Sequence, residues 1–193
     1  MAKEVGQVRE EELDPQAEAR RLRALAQIRQ YGDPVLRMHA NEVESFDDDL
    51  TRLVERLLRL MGDANGVGLA ATQVGVLRRV FVFQPARDEG KEAIAVVNPR
   101  LAHRSDERET DDEGCLSLQG VITPVERHVD VTLEGVDAQG QPLRLELHGY
   151  AARVAQHEVD HLDGVLMLQR TSPESRREAL RTLRPEPVLN PLA

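Results

Sequence analysis

Two segments in the first third of the chain have apolar residues at helical spacing. Residues 15–30 and residues 47–63 place apolar side chains three or four positions apart, which predicts two amphipathic helices. Asp47 or Asp48 stands where a helix N-cap is expected in the second. The apolar residues are Leu22, Leu25 and Ile28 in the first helix, and Leu50, Leu53, Val54, Leu57, Leu60 and Met61 in the second.

Strand patterns follow in the middle of the chain. Residues 79–84 and 93–98 are rich in residues that favour strands, and Pro99 is expected to close the second run. Residues 129–133 and 143–147 then alternate between apolar and polar side chains. Turn-forming residues separate these two runs, which predicts a β-hairpin.

Helical spacing returns in the last quarter of the chain. Gly149 is expected to open a helix that ends near Asp163, and Ser172 with Pro173 marks the start of a last helix to about Leu183. These patterns predict one α+β domain, with small antiparallel or mixed sheets around a central helix and with N- and C-terminal helices. We divide the chain into an N-terminal extension (1–27), partly disordered and then helical, a main domain (28–170), and a C-terminal helix with a proline-rich tail (171–193).

Composition narrows the classes of protein that fit. With 193 residues and 40% hydrophobic content, the chain can bury the core of one domain. Its single cysteine permits no internal disulfide and fits a reducing compartment, so we expect a cytoplasmic protein. No run approaches about 18 apolar residues, and no signal peptide is evident, so we expect no membrane partner. The net charge of −9 argues against DNA binding.

The central helix carries the strongest chemical signal. His157 and His161 stand one helical turn apart with Glu158 beside them, in the pattern H-E-x-x-H. This spacing lets two imidazoles bind one metal ion while the carboxylate reaches a water molecule that the metal activates. A catalytic site needs a third protein ligand, which the motif does not supply.

Several residues are candidates for the third ligand. Met167 stands where a metzincin has its third histidine, but a thioether is a poor ligand for a hydrolytic metal. Glu174 and Glu178 would suit a thermolysin-like site, yet they lie in a segment typical of an exposed helix. Cys115 fits better, because one thiolate and two imidazoles suit Fe(II), Zn(II), Co(II) or Ni(II) and leave a fourth position open.

Three motifs together identify a family. G-x-G-x-A-A-x-Q spans residues 66–73, E-G-C-L-S spans 113–117, and H-E-x-D-H spans 157–161. The order of these motifs and their residues closely resemble those of the peptide deformylases. The resemblance runs from about Ile28 to about Arg170 and implies that residues 28–170 are the catalytic domain. The resemblance implies removal of the N-formyl group from N-terminal formyl-methionine, with formyl-methionyl nascent peptides as substrates and transient ribosome association as a further possibility.

The resemblance also implies roles for site residues. Cys115, His157 and His161 would hold the metal, which in the family is Fe(2+), although Zn(2+), Ni(2+) or Co(2+) can occupy such a site. Glu158 would act as general base and then general acid. The Gln73 side chain and the Leu116 backbone N–H would bind the carbonyl oxygen. The residues expected around the substrate are Val67, Gly68, Gly114, Tyr150, Val154 and the aliphatic stem of Arg153.

Some further positions agree with the family pattern, and others depart from it. By analogy with relatives, Glu113 and Arg127 are expected to form an ion pair that braces the Cys115 segment. Gln119 and Ile122 depart from the residues that many relatives carry, so preferences beyond the methionine are open. Two other interpretations also remain: a metallopeptidase or acylase that takes a larger acyl group, and a metal-binding module without catalysis.

Overall fold

Antiparallel sheets and helices make up the structure, a computed structural model that describes residues 14–86 and 92–183. The expected α+β architecture is confirmed. Expectations for the acidic start (1–13) and the proline-rich tail (184–193) lie outside the described residues. In chain order the elements are α1 (Pro15–Leu25), α2 (Asp48–Asp63), β1 (Gly68–Ala70), β2 (Val80–Phe83), β3 (Ile94–Arg104), β4 (Arg108–Gly114), β5 (Ile122–His128), β6 (Asp130–Val136), β7 (Pro142–His148), α3 (Gly149–Leu162) and α4 (Pro173–Thr182).

The strands form two antiparallel sheets. One has five strands in the order β1-β2-β3-β6-β7, and the other is the β4–β5 hairpin. The hairpin predicted from alternating residues is β6–β7, and Leu133 pairs with Leu145 across it, so that prediction is confirmed. The β4–β5 hairpin ends beside Cys115, which follows β4 directly.

The five-stranded sheet is buried on both faces near β2. Val80 and Val82 pack in the same apolar cluster as α2, whereas Phe81 and Phe83 pack with residues of α3. This alternation follows from the strand's period of two, and all four side chains are fully buried. The sheet is therefore a central layer between α2 and α3.

Helix α2 agrees closely with its sequence pattern. The Asp47 side chain accepts a hydrogen bond from the Leu50 N–H at 3.0 Å, which caps the helix. All six residues of the predicted apolar face are buried. The helix leads into Asn65, which has φ of 58°, and then into the loop that carries Gly66. It thereby delivers the chain to β1 at the edge of the site.

The first helix is shorter than predicted. It begins at Pro15 but ends at Leu25, not at Gln30, and Leu22 is 59% exposed instead of facing the core. Beyond the helix, the Arg29 N–H donates to the Gln73 carbonyl oxygen at 2.7 Å. This tertiary bond replaces the helical one, so the helix does not continue. Ile28 is still buried, but it reaches the core from the segment after the helix.

The prediction that Pro99 ends a strand is also wrong. Strand β3 continues to Arg104, and its register with β6 shifts between Val97 and Arg100. Asn98 lies in the left-handed region with φ of 51° inside this irregularity. Proline donates no backbone hydrogen bond and is tolerated at a bulge, where the regular pairing is already interrupted.

Helix α3 connects the large sheet to the β4–β5 hairpin. It begins at Gly149 and ends at Leu162, as predicted, and its residues from Ala152 onward are buried. A third apolar cluster joins the hairpin, the segment around Met167, and α4 through Ala179. Helix α4 begins with the predicted Ser172 cap. None of the helices in residues 14–86 and 92–183 is long and apolar enough to cross a membrane.

Candidate metal centre

Cys115, His157 and His161 meet in the interior between the β4–β5 hairpin and α3. Their ligand atoms all lie within 4.8 Å of one another. The Cys115 Sγ is 3.2 Å from the His161 Nε2, and the two imidazole rings are 4.9 Å apart, nearly perpendicular. All three are buried. One thiolate and two imidazoles at these distances fit a tetrahedral metal site with one open position.

The electrostatics of the two histidines suit metal binding. Burial, helped by the positive charges of His157 and Arg127, lowers the pKa of His161 well below its usual value, so its imidazole is neutral. Burial alone would lower the pKa of His157, but contacts with Cys115 and Glu113 raise it well above its usual value. A group with a raised pKa keeps its proton more readily, and a divalent cation among these ligands would take the place of that proton on His157.

Glu113 supports the site from behind His157. Its Oε2 lies 2.9 Å from the His157 Nδ1, which leaves Nε2 of that ring as the ligand atom. The Arg127 guanidinium donates to both Glu113 oxygens, at 2.8 and 3.0 Å, so the expected ion pair is present. Although burial would raise the pKa of Glu113, hydrogen bonds from His157 and Arg127 hold it well below its usual range.

Glu158 is a buried carboxyl group that lines the same cavity as the metal ligands Cys115 and His157. Burial raises its pKa to about 7. Its Oε2 and the Nδ1 of His161 are the buried side-chain oxygen or nitrogen atoms without a hydrogen-bond partner in the described part of the chain. A buried carboxyl oxygen without a partner is costly and is typical of functional sites.

Gln73 holds its amide toward the cysteine. Its Oε1 accepts a hydrogen bond from the Ala70 N–H at 2.9 Å, which fixes the orientation of the amide. Its Nε2 then faces the Ser117 hydroxyl at 3.1 Å and the Cys115 Sγ at 3.6 Å. The short helical turn at 71–74 that carries Gln73 follows β1 directly, so the G-x-G-x-A-A-x-Q motif places this donor at the site.

Most of the predicted site residues surround one cavity. It has about 260 Å³ of empty space, including its opening to solvent. Three predicted residues do not line it: His161, Tyr150 and Arg153. Arg153 is instead buried against the β4–β5 hairpin, where it bonds Glu113. The lining residues are Val67, Gly68, Gln73, Gly114, Cys115, Leu116, Val154, His157 and Glu158.

Sequence reasoning missed the supporting roles of Arg153, Asp160 and Arg170. Asp160 accepts from Arg127 at 2.5 Å and from the Arg170 Nη2 at 2.6 Å. The sequence does indicate that two of these residues lie near the metal ligands. Arg153 stands four residues before His157 on one helical face, and Asp160 stands inside the metal-binding motif. Their partners are remote in sequence, so the spacing gave no direct indication of the network.

Comparison with known proteins shows the family of this chain. The family model described as polypeptide deformylase matches residues 25–177. The chain belongs to the polypeptide deformylase family. Peptide deformylase 1 of Corynebacterium glutamicum is 45% identical over 161 residues, which cover 83% of this chain and 95% of that protein.

Solved structures of peptide deformylases share the fold. The structure from Legionella pneumophila superimposes with a TM-score of 0.76 at 38% identity, covering 81% of this chain and 91% of that one. The structure from Thermotoga maritima gives 0.71 at 44% identity, covering 76% and 97%. This chain is therefore a hydrolase of the peptide deformylase family, and its Cys-His-His group is the metal-binding group of a metalloenzyme.

Proposed function

We propose that this protein removes the formyl group from the N-terminal formyl-methionine of nascent polypeptides and releases formate. The observation that carries the proposal is the buried Cys115, His157 and His161 group, with the partnerless Glu158 carboxyl beside it in one small cavity. The names of the relatives in Corynebacterium glutamicum and Thermotoga maritima support the same activity.

The three ligands would hold Fe(2+), and Zn(2+), Ni(2+) or Co(2+) also suit this donor set. When bound, such an ion supplies Lewis acidity that polarises a carbonyl group and makes water a stronger acid. The thiolate ligand favours a reducing compartment, which supports a cytoplasmic location. We propose that the neutral His161 and the Glu113-bound His157 need little rearrangement on binding.

Glu158 would carry the proton during hydrolysis. Its carboxylate would accept a proton from the attacking water as the oxygen adds to the formyl carbon. The carbon–nitrogen bond then breaks, and the same group returns the proton to the leaving amine, giving formate and a free N-terminus. Its buried Oε2 has no protein partner and is therefore available for this transfer.

Gln73 and Leu116 would stabilise the negative charge that develops on the formyl oxygen. The Gln73 amide presents its N–H groups toward Cys115, and Leu116 follows Cys115 at the wall of the cavity. Fixed hydrogen-bond donors in a site without bulk water typically contribute about 3 kcal/mol each to such charge stabilisation. The Ala70 N–H fixes the orientation of the Gln73 amide, and Leu116 lies in the connection between β4 and β5.

The cavity would take a small acyl group beside an apolar side chain. Val67 and Val154 provide apolar walls, whereas Gly68 and Gly114 leave room for a substrate backbone to approach. We assign these four residues to the substrate and no longer assign Tyr150 or the Arg153 stem to the cavity wall. The methionine side chain would lie against the valines. Transient association with the ribosome stays a prediction.

The decisive experiment compares two acyl groups on one peptide. The protein is purified anaerobically with Fe(II) or Ni(II) and incubated with formyl-Met-Ala-Ser or acetyl-Met-Ala-Ser. We expect formate release and no acetate, because a pocket fitted to a formyl group would reject the added methyl group sterically. Release of both acids would favour a broader acylase. No release from a folded, metal-loaded sample would contradict the proposed activity.

A further inference from the structure

Arg153 is a buried cation on the helix of the metal ligands. It lies on α3 one turn before His157, and only 4% of its surface is exposed. It does not line the cavity, so it does not belong to the substrate pocket. A buried guanidinium is retained in a fold only when several acceptors surround it, and three acceptors are found here.

The acceptors of Arg153 lie on both strands of the β4–β5 hairpin. Its Nη1 donates to the Glu113 Oε1 at 3.0 Å and to the Val125 carbonyl oxygen at 2.7 Å. Its Nη2 donates to the Glu109 carbonyl oxygen at 2.8 Å. One planar side chain therefore links both strands of the hairpin to α3.

Glu113 depends on this connection. Its ion pair with Arg127 joins β4 to β5 and is internal to the hairpin, so this pair alone does not set the distance from Glu113 to α3. Arg127 reaches α3 through Asp160, near the end of the helix. Arg153, which is part of α3, bonds Glu113 directly from the same helical face as His157.

We infer that Arg153 is a positioning residue for the metal site. It holds the Glu113 carboxylate in place, so that Glu113 keeps the proton of His157 on Nδ1 and leaves Nε2 to bind the metal. A carboxylate behind a ligating histidine fixes both the ring orientation and the tautomer. The inference rests on the metal site of the proposed function.

The test compares Arg153→Met with a matched control, Gln156→Met. Gln156 is also buried on α3 and ties it to the same hairpin, since its Nε2 donates to the His128 carbonyl oxygen at 2.9 Å. Its Oε1 accepts from the His128 N–H. Its hydrogen bonds go to His128 and Ala152, so the control removes bonds between helix and hairpin while leaving those of Glu113 in place.

Three quantities are measured for each variant. Zinc affinity is determined by competition with a chelator. The tautomer of His157 in the zinc-loaded protein is read from long-range proton–nitrogen NMR correlations of ¹⁵N-labelled histidine. The kcat and KM are determined with formyl-Met-Ala-Ser. We expect Arg153→Met to weaken zinc binding roughly 10- to 100-fold and to broaden or shift the His157 Nδ1 signal, with KM unchanged.

The control variant and a conservative variant show whether the loss of zinc affinity is specific to Arg153. Gln156→Met is expected to bind zinc like the wild-type protein, and Arg153→Lys to fall between wild type and Arg153→Met because it keeps one charged contact. If Arg153→Met does not fold, Arg153→Lys is compared with Gln156→Met in the same way, and its weaker zinc binding is the supporting result.

Several results would overturn the inference. Unchanged zinc affinity in the Arg153 variants, or an equal loss in Gln156→Met, would show that Arg153 has no specific link to the metal ligands. A higher KM with unchanged zinc affinity would return Arg153 to the substrate pocket. If the wild-type protein itself bound no zinc, the metal site of the proposed function would fail, and this inference with it.

Discussion

At the scale of single residues, the site combines groups that are unfavourable in isolation. Glu158 has a buried oxygen without a protein partner, and burial raises its pKa to about 7. Burying such a group without a hydrogen bond costs free energy, and stability alone gives no reason to keep it. Its position in the same cavity as the Cys115 and His157 side chains supplies a functional reason.

Replacing Glu158 by glutamine tests its role as proton carrier. Glu158→Gln keeps the size of the side chain but cannot accept the proton, so kcat should fall at least about 100-fold. Metal content should stay near that of the wild-type protein, because Cys115, His157 and His161 are untouched. Steady-state kinetics and metal analysis of the same sample measure both. A variant with nearly normal kcat would rule out this role.

We expect that any larger residue at position 68 lowers the activity, because Gly68 lies against Glu158. A Cβ at this position would lie 2.2 Å from the Glu158 Oε1, far inside contact distance. Gly68→Ala should therefore displace the Glu158 carboxyl and lower kcat by about 100-fold, the same range as direct loss of the group. The measurement is kcat at saturating substrate.

Gly62 provides the matched control for that substitution. A Cβ there would meet nothing within 4 Å, and the residue lies inside α2. Gly62→Ala should leave kcat unchanged and stabilise the protein by about 0.5–1 kcal/mol, since alanine favours helix. Equal kcat values for the two variants would contradict the steric argument for Gly68.

At the scale of elements, the sequence predicted those parts whose structure is decided locally. Helix α2 has a capping aspartate and a continuous apolar face, so its predicted and observed limits nearly coincide. The first helix ends five residues early because Arg29 bonds Gln73, which is remote in sequence. Pro99 lies within a strand because a register shift against β6 accommodates it. The local sequence pattern shows neither the bond from Arg29 to Gln73 nor the pairing of β3 with β6.

The same distinction applies to the site. Three motifs sufficed to identify Cys115, His157 and His161, because each motif is a short local pattern and the order of the three is that of the family. The pattern also placed Arg153 on the face of His157, but it did not show whether the side chain faces the cavity or the hairpin. That choice depends on Glu113 and Val125, which the fold brings to α3 from another sheet.

The end of α3 depends on a glycine. Gly164 has φ of +68°, and a Cβ there would lie 2.6 Å from the Arg37 carbonyl oxygen. Gly164→Ala should therefore lower the free energy of unfolding by about 2 kcal/mol or more, through backbone strain together with the steric clash. Urea denaturation of the metal-free protein measures this loss.

Gly140 is the control for backbone strain without a backbone clash. It has φ of +79°, but the atoms nearest to an added Cβ would belong to the Phe46 ring at 3.5 Å, an ordinary contact. Gly140→Ala should lower the free energy of unfolding by only about 1 kcal/mol. If Gly164→Ala were no more destabilising than Gly140→Ala, the close approach of Arg37 would be unimportant for the end of α3.

At the scale of the whole molecule, the metal centre lies where three apolar clusters meet. Cys115 belongs to the cluster of the β4–β5 hairpin and α4, whereas the next residue, Leu116, packs with α2. Val67 and Val154, which also line the cavity, belong to the cluster between the sheet and α3. A ligand bound there contacts parts of the molecule that otherwise pack separately.

Metal removal should therefore lower the thermal stability of the whole domain. The site is assembled only in the folded chain, so a metal at 100 times its Kd stabilises the fold by about 2.7 kcal/mol. Adding a chelator should lower Tm by about 5–10 °C for a domain of this size. Differential scanning calorimetry measures the change. Cys115→Ala, which lacks one ligand, should show little further change in Tm on chelation, because it has little bound metal to lose. An equal chelator-induced decrease in that variant would mean that the stabilising metal binds elsewhere.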